Sequence, residues 1–180
     1  LKVLFTTGIL IGIGETPEER VDSLFAIREL HQRYGHIQEV IVQNFRAKPD
    51  IAMRDHAEPD LSEMLRTITV ARLILGGDMN LQAPPNLAPN DYQTYLQAGI
   101  NDWGGVSPIT RDFINPEAPW PQLTDLREVT ESQGFRLRER LALYPEHISQ
   151  RSGFIPDSLS ERIFALADGE SLVKRENEQW

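Results

Sequence analysis

The sequence predicts an α/β fold in which parallel strands are covered by outer helices. A β-branched apolar run, a short connection and a capped amphipathic helix form a unit that recurs along the chain. Val3 to Ile11 is apolar without alternation, the pattern of a strand covered on both faces. Helix starts are also marked, most clearly by Thr16-Pro17-Glu18-Glu19, where Thr16 and Glu19 can form a capping box around Pro17.

The elements follow in order. A strand over Lys2 to Ile11 leads through Gly12 and Gly14 into a helix that runs to Tyr34, with Val21, Leu24, Phe25 and Ile27 inward and Gly35 ending it. Glu39 to Phe45 is a second strand, and Arg46 to Pro59 a polar loop. Asp60 then caps a helix with Leu61, Met64, Leu65, Ile68, Ala71 and Leu75 on one face, stopped by Gly76-Gly77. Met79 to Gln82 is a short third strand. Pro89 to Gly99 is a short helix capped near Asn90, Ile100 to Trp103 a fourth strand, and Gly104 to Trp120 a proline-rich loop. Helices are expected over Leu123 to Gln133, Phe135 to Leu143 and Leu159 to Ala167, with a break at Tyr144-Pro145.

Composition narrows the function classes. The chain has 180 residues, 40% apolar and 25% charged, which suits one globular unit with a real core. Its formal net charge of −9 is spread along the chain, so a nucleic-acid partner is not expected. Arg136, Arg138 and Arg140 alternate with other residues and read as the outer face of one element. The absence of Cys excludes thiolate metal sites and disulfides within these residues. No apolar run approaches the roughly 20 residues of a membrane span, so the expectation is a cytoplasmic protein without a membrane partner. A strand that begins almost at Leu1 suggests a chain that starts inside a larger fold.

In β/α folds chemistry sits where strands end, so the strand C-termini are the places to read. The first carries Gly8-Ile9-Leu10-Ile11-Gly12-Ile13-Gly14-Glu15. This is not a dinucleotide fingerprint, because Pro17 stands where the third Gly belongs. The second, Gln43-Asn44-Phe45-Arg46-Ala47-Lys48-Pro49, joins amides able to read a nucleoside edge to cations able to hold a carboxylate, or is a cluster of caps and turns. The third and fourth, Asn80 to Asn86 and Asn101 to Pro108, add Gln82, Asn86, Asn101, Asp102 and Trp103 beside a glycine pair, suited to a flat polar ligand or to ordinary turns. His31, His36, His56 and His147 have no metal spacing and read as surface or capping residues. Ser107, Ser149 and Ser152 lack a nucleophile elbow.

These blocks carry a resemblance. GxxxGxGET after a strand, and a later helix ending in TVAR, are similar to the second half of biotin-synthase-like radical S-adenosylmethionine (SAM) enzymes. VQNFRAKP, NLQAPPNL, NDWGGVSPIT and INPEAPWP resemble, more narrowly, the deazaflavin-forming FO synthase family of coenzyme F420 biosynthesis. The resemblance covers about Leu4 to Pro145. It implies the C-terminal half of a partial TIM-type barrel over residues 1–121 and a helical extension over 122–180.

It also implies a SAM cofactor and a 4Fe-4S cluster whose CxxxCxxC loop lies outside this chain. Gly8, Leu10, Gly12 and Glu15 match the family's GxIxGxxE segment, with Leu10 in place of the usual Ile, and Val42, Gln43 and Asn44 are placed near the SAM adenine. Arg46, Gln82, Asn86, Asn101, Asp102 and Trp103 are placed toward the substrate, a hydroxybenzyl–ribityluracil adduct. In the family's reaction a radical takes hydrogen from that adduct, the ring closes and ammonia leaves; FO synthase subunit two is the implied partner. The rival readings are a sister radical SAM enzyme, namely that partner subunit or a menaquinone-pathway relative, and a β/α binding module without catalysis. PPNL and NDWGGVSP favour the deazaflavin-forming subunit. The isolated chain is expected to be inactive and to self-associate through exposed strand edges.

Overall fold

The computed structural model describes residues 3–107, 109–149 and 153–177. Lys2, at the expected start of the first strand, Pro108 and Ser152 lie outside the described residues. Three strands, β1 (Phe5–Ile11), β2 (Ile37–Asn44) and β3 (Leu81–Gln82), form a parallel sheet in the order β1-β2-β3. Two helices, α1 (Pro17–Tyr34) and α2 (Leu61–Leu75), connect them. This confirms the expected α/β class with parallel strands.

Both helices start as their caps dictate. The Thr16 hydroxyl accepts from the Glu19 amide at 3.2 Å while the Glu19 carboxylate accepts from the Thr16 amide at 2.7 Å, and Asp60 accepts from the Glu63 amide at 2.8 Å. Leu24 on α1 and Met64, Ile68 and Ala71 on α2 meet Val40, Val42 and Leu81 in the main core. Val21 and Ile27 are only half-buried, and Phe25 is exposed with the Arg28 guanidinium 4.4 Å over its ring.

Several expectations change. Of β1 only Ile11 is fully buried, whereas a strand covered on both faces was expected. Among the described residues β1 pairs with β2 alone, and the alternate residues Thr6, Gly8 and Leu10 are exposed. The third strand shortens to two residues, and the fourth contracts to a single parallel bridge between Gln82 and Asp102. Side chains explain the contraction. Asn101 Oδ1 accepts from the Leu81 amide at 2.8 Å and Asp102 Oδ1 from the Gly104 amide at 2.5 Å, taking amides that a longer ladder would give to carbonyls.

The helix expected over 89–99 is reduced to α3 (Thr94–Ala98), which begins after Gln93 without a side-chain cap and not near Asn90. The chain first turns back at Ala88, whose carbonyl accepts from the Asp91 and Tyr92 amides. The next helix, α4 (Leu123–Ser132), is as expected.

No helix forms over 135–143. After Gly134, at φ 82°, the chain runs extended, and its period-two arginines each reach a carboxylate: Arg136 to Glu170, Arg138 to Asp168 and Glu170, and Arg140 to Asp102 and Glu39. Helical spacing of 3.6 would scatter these side chains around an axis. Two short helices, α5 (Pro145–Ser149) and α6 (Asp157–Leu166), follow, so Pro145 opens a helix. No helix among the described residues is long and apolar enough to cross a membrane.

Candidate functional site

The turn after β1 is fixed by Glu15. Its carboxylate accepts from the Gly12 and Ile13 amides, both at 2.8 Å, and from Arg20 Nε at 2.6 Å. Burial opposes its charge, but these donors outweigh burial and hold the carboxyl at about 2, below the ordinary 4.5. Arg20 continues to Glu63 at 3.1 Å and Thr67 at 3.3 Å on α2, so the turn is tied to both helices. Gly8 allows β1 to approach β2 closely: a Cβ there would lie 2.2 Å from the Ile41 carbonyl oxygen. Gly12, at φ 89°, faces Pro59.

Register decides which residues share a face. Thr6 pairs with Glu39, Gly8 with Ile41 and Leu10 with Gln43, so these alternate residues lie together on the face opposite the helices. Leu10 is 42% exposed beside half-buried Gln43, and Ile13 in the following turn is 45% exposed. Val42 points the other way and is fully buried in the core. Asn44, 6% exposed, donates to the Leu87 carbonyl at 3.4 Å, and its Oδ1 has no hydrogen-bond partner among the described residues. Arg46 is engaged by Glu58 at 2.9 Å, and Lys48 donates to the Ile114 carbonyl.

The residues after β3 are more deeply held. Asn86, 2% exposed, donates to Asp112 Oδ2 and to the Ala118 carbonyl, both at 3.0 Å, and its Oδ1 is also unpartnered among the described residues. Burial opposes the Asp112 charge, but the Asn115 side chain and amide, the Ile114 amide and Asn86 lower its pKa overall. Asn101 is an anchor between elements, accepting from Leu81 and from Arg72 Nη2 at 3.0 Å and donating to Asn80 at 2.9 Å. Trp103 is buried, donating from Nε1 to Thr130 Oγ1 at 3.0 Å and meeting the Tyr92 ring edge-on at 5.5 Å. Gln82 is buried against the Gly104 turn. Leu10 and Gln43 are thus brought together on the open face, while Trp103 is buried and Asn101, exposed, is tied to Leu81, Arg72 and Asn80, and both line one cavity.

A second polar cluster occupies the other end of the same face. The Arg140 guanidinium lies between Asp102, at 2.6 Å, and Glu39, at 3.3 Å, with its carbon 4.1 Å from the Tyr144 ring centroid. Tyr144 donates to Glu39 at 2.5 Å, and Thr6 donates to the other Glu39 oxygen at 2.9 Å. Burial opposes the Arg140 charge, but the Asp102 hydrogen bond and charge, with Glu39, raise its pKa overall. Burial raises the Tyr144 pKa, and the Asp102 charge and the Glu39 hydrogen bond add to the shift. These residues line a cavity of about 1010 Å³ that also touches Gly104 and Gly105.

Sequence reasoning passed over Glu39, Arg140 and Tyr144. The period-two arginines were the available signal for an extended segment, but nothing local announces a pair 101 positions apart. The histidines differ from expectation at one position: His147 is buried, and burial lowers its pKa. No group of metal-binding side chains occurs among the described residues.

No family model matches the chain. It is 57% identical over 174 residues to the 7,8-didemethyl-8-hydroxy-5-deazariboflavin synthase of Methanopyrus kandleri, covering 97% of the chain and 51% of that protein. It is 54% identical over 164 residues to the synthase of the same name from Methanocaldococcus jannaschii, covering 91% of the chain and 44% of that protein. Against the FO synthase of Streptomyces coelicolor the identity is 51% over 176 residues, covering 98% of the chain and 20% of that protein. The chain spans about half, or less, of the length of the curated relatives it matches. With more than half its residues identical over nearly its whole length, the chain belongs to the FO synthase family, of which it represents one portion.

Proposed function

We propose that the chain is part of a radical SAM enzyme that forms the deazaflavin FO from 5-amino-5-(4-hydroxybenzyl)-6-(D-ribitylimino)-5,6-dihydrouracil, releasing ammonia, methionine and 5'-deoxyadenosine, for coenzyme F420. The identity to proteins named as deazaflavin synthases, held across nearly the whole chain, carries this reading. In this reading the sheet is half of a TIM-type barrel, its helix-free face is the barrel interior, and FO synthase subunit two supplies the adduct.

The side chains fit the cofactor's nucleoside. Exposed Leu10 offers an apolar platform for a flat base, and Gln43 beside it offers an amide donor and acceptor for the base edge. Glu15 acts by shaping the Gly12–Gly14 turn, since its oxygens are already taken by amides and by Arg20. Val42 and Asn44 border the nucleoside through their backbone. The chain has no cysteine, so thiolates for the 4Fe-4S cluster come from outside it, and this chain alone is inactive. When bound, SAM with its cluster supplies the hydrogen-abstracting radical. The chain's own part is positional, with Gln82 and the Gly104 turn orienting the uracil and polyol and the half-buried Asn86–Asp112 contact fixing the loop beside them.

The test is the full-length protein, reconstituted anaerobically with iron and sulfide and supplied with SAM and the adduct. Fluorescent deazaflavin together with 5'-deoxyadenosine is the expected result. Turnover of tyrosine and ribitylaminouracil, with none of the adduct, would assign the protein to the partner subunit's reaction.

A further inference from the structure

We infer that Arg140 is a positioning residue for the substrate end of the site, acting through Asp102 on the Gly104 turn and the Gln82 side chain; the substrate part of this inference rests on the proposed function. Asp102 is shared between two tasks. Its carboxylate receives Arg140 Nε at 2.6 Å and Nη2 at 3.3 Å, and its Oδ1 also receives the Gly104 amide at 2.5 Å. Gly104 sits at φ 76°, and a Cβ placed there would lie 1.6 Å from Gln82 Oε1, so the Gln82 amide rests directly on the Gly104 backbone. Gln82 and Asp102 are themselves bridged as parallel neighbours. Rotation of the Asp102 carboxylate therefore moves both the turn and the surface that holds Gln82.

Arg140 sets that rotation because it is itself fixed from three sides. Glu39 of β2 takes its Nη2, the Tyr144 ring lies under its guanidinium, and its Nη1 donates to the Leu141 carbonyl at 3.1 Å. Glu39 is held in turn by Tyr144 and Thr6. An extended segment far along the chain thus locks an acceptor at the fourth strand position, and only a planar, doubly donating cation satisfies both carboxylates at once.

The test uses the full-length protein with Arg140→Met, which keeps an unbranched apolar stem and removes the charge, Arg140→Lys, and Asp102→Asn, which retains an acceptor for the Gly104 amide. Amide hydrogen exchange across 102–107 is expected to rise about tenfold in Arg140→Met and less in Arg140→Lys, the scale of one lost charge-assisted contact. Adduct affinity, read by calorimetry without turnover, is expected to fall about tenfold in parallel, with SAM affinity unchanged. If Arg140→Met does not fold, Arg140→Lys and Asp102→Asn carry the same two measurements. Unchanged exchange at 102–107 in a folded Arg140 variant overturns the inference, as does raised exchange with unaltered adduct affinity, which leaves Arg140 merely structural. A wild-type protein that binds SAM and not the adduct overturns the proposed function instead, and the exchange result still decides whether Arg140 controls the turn.

Discussion

At Glu15 a carboxylate is spent on the fold. Replacing it by Gln removes the charge that two amides and Arg20 address, and should cost about 1–2 kcal/mol in a urea melt. The same contacts give an acid dependence. The folded-state value of about 2 lies below the ordinary 4.5, so this stabilisation is present above pH 4.5 and is lost as pH falls toward 2. Urea midpoints taken between pH 6 and pH 3 should therefore fall less steeply in Glu15→Gln than in the wild type. Trp103→Phe keeps the ring edge against Tyr92 and loses the donor to Thr130. Thr130 still donates to the Leu126 carbonyl, so the expected cost is about 1 kcal/mol, read from thermal melts. Glu15 was legible in the sequence as a helix-start residue beside glycines. The inward turn of Trp103 was not, because its partner Thr130 is fixed only when α4 docks.

Among the elements, α2 kept the boundaries its signals gave, from Asp60 to Gly76. Asp60→Ala should cost about 1 kcal/mol, measurable as a lowered midpoint in chemical denaturation, through loss of the bond to the Glu63 amide. Caps and amphipathic spacing are local, so α1 and α2 could be read directly. The segment 135–143 failed for the opposite reason: its helix formers Leu137, Glu139 and Leu141 speak for a helix, while carboxylates at Glu39, Asp102, Asp168 and Glu170 hold the arginines extended. The fourth strand shrank to a bridge because Asn101 and Asp102 use their own side chains as acceptors.

For the whole molecule, the sheet leaves β1 unpaired on one side among the described residues, with Phe5 and Leu10 exposed along it. Such an edge invites pairing with another chain. Size-exclusion chromatography of the isolated chain should show concentration-dependent association, and Leu10→Lys should shift it toward monomer by placing a charge on the open face. A monomer at all concentrations in the wild type would contradict this.

The sequence by itself determined the α/β class, the caps of α1 and α2, the Gly12–Glu15 turn and the family, because each depends on neighbours a few positions apart or on side-chain order. Only the tertiary structure decided that Leu10 meets Gln43, that Val42 and Trp103 turn inward, and that Arg140 bridges Glu39 and Asp102. Those outcomes depend on strand register and on ion pairs between distant segments, which arise when the sheet and the extended segment come together and leave no periodic trace along the chain.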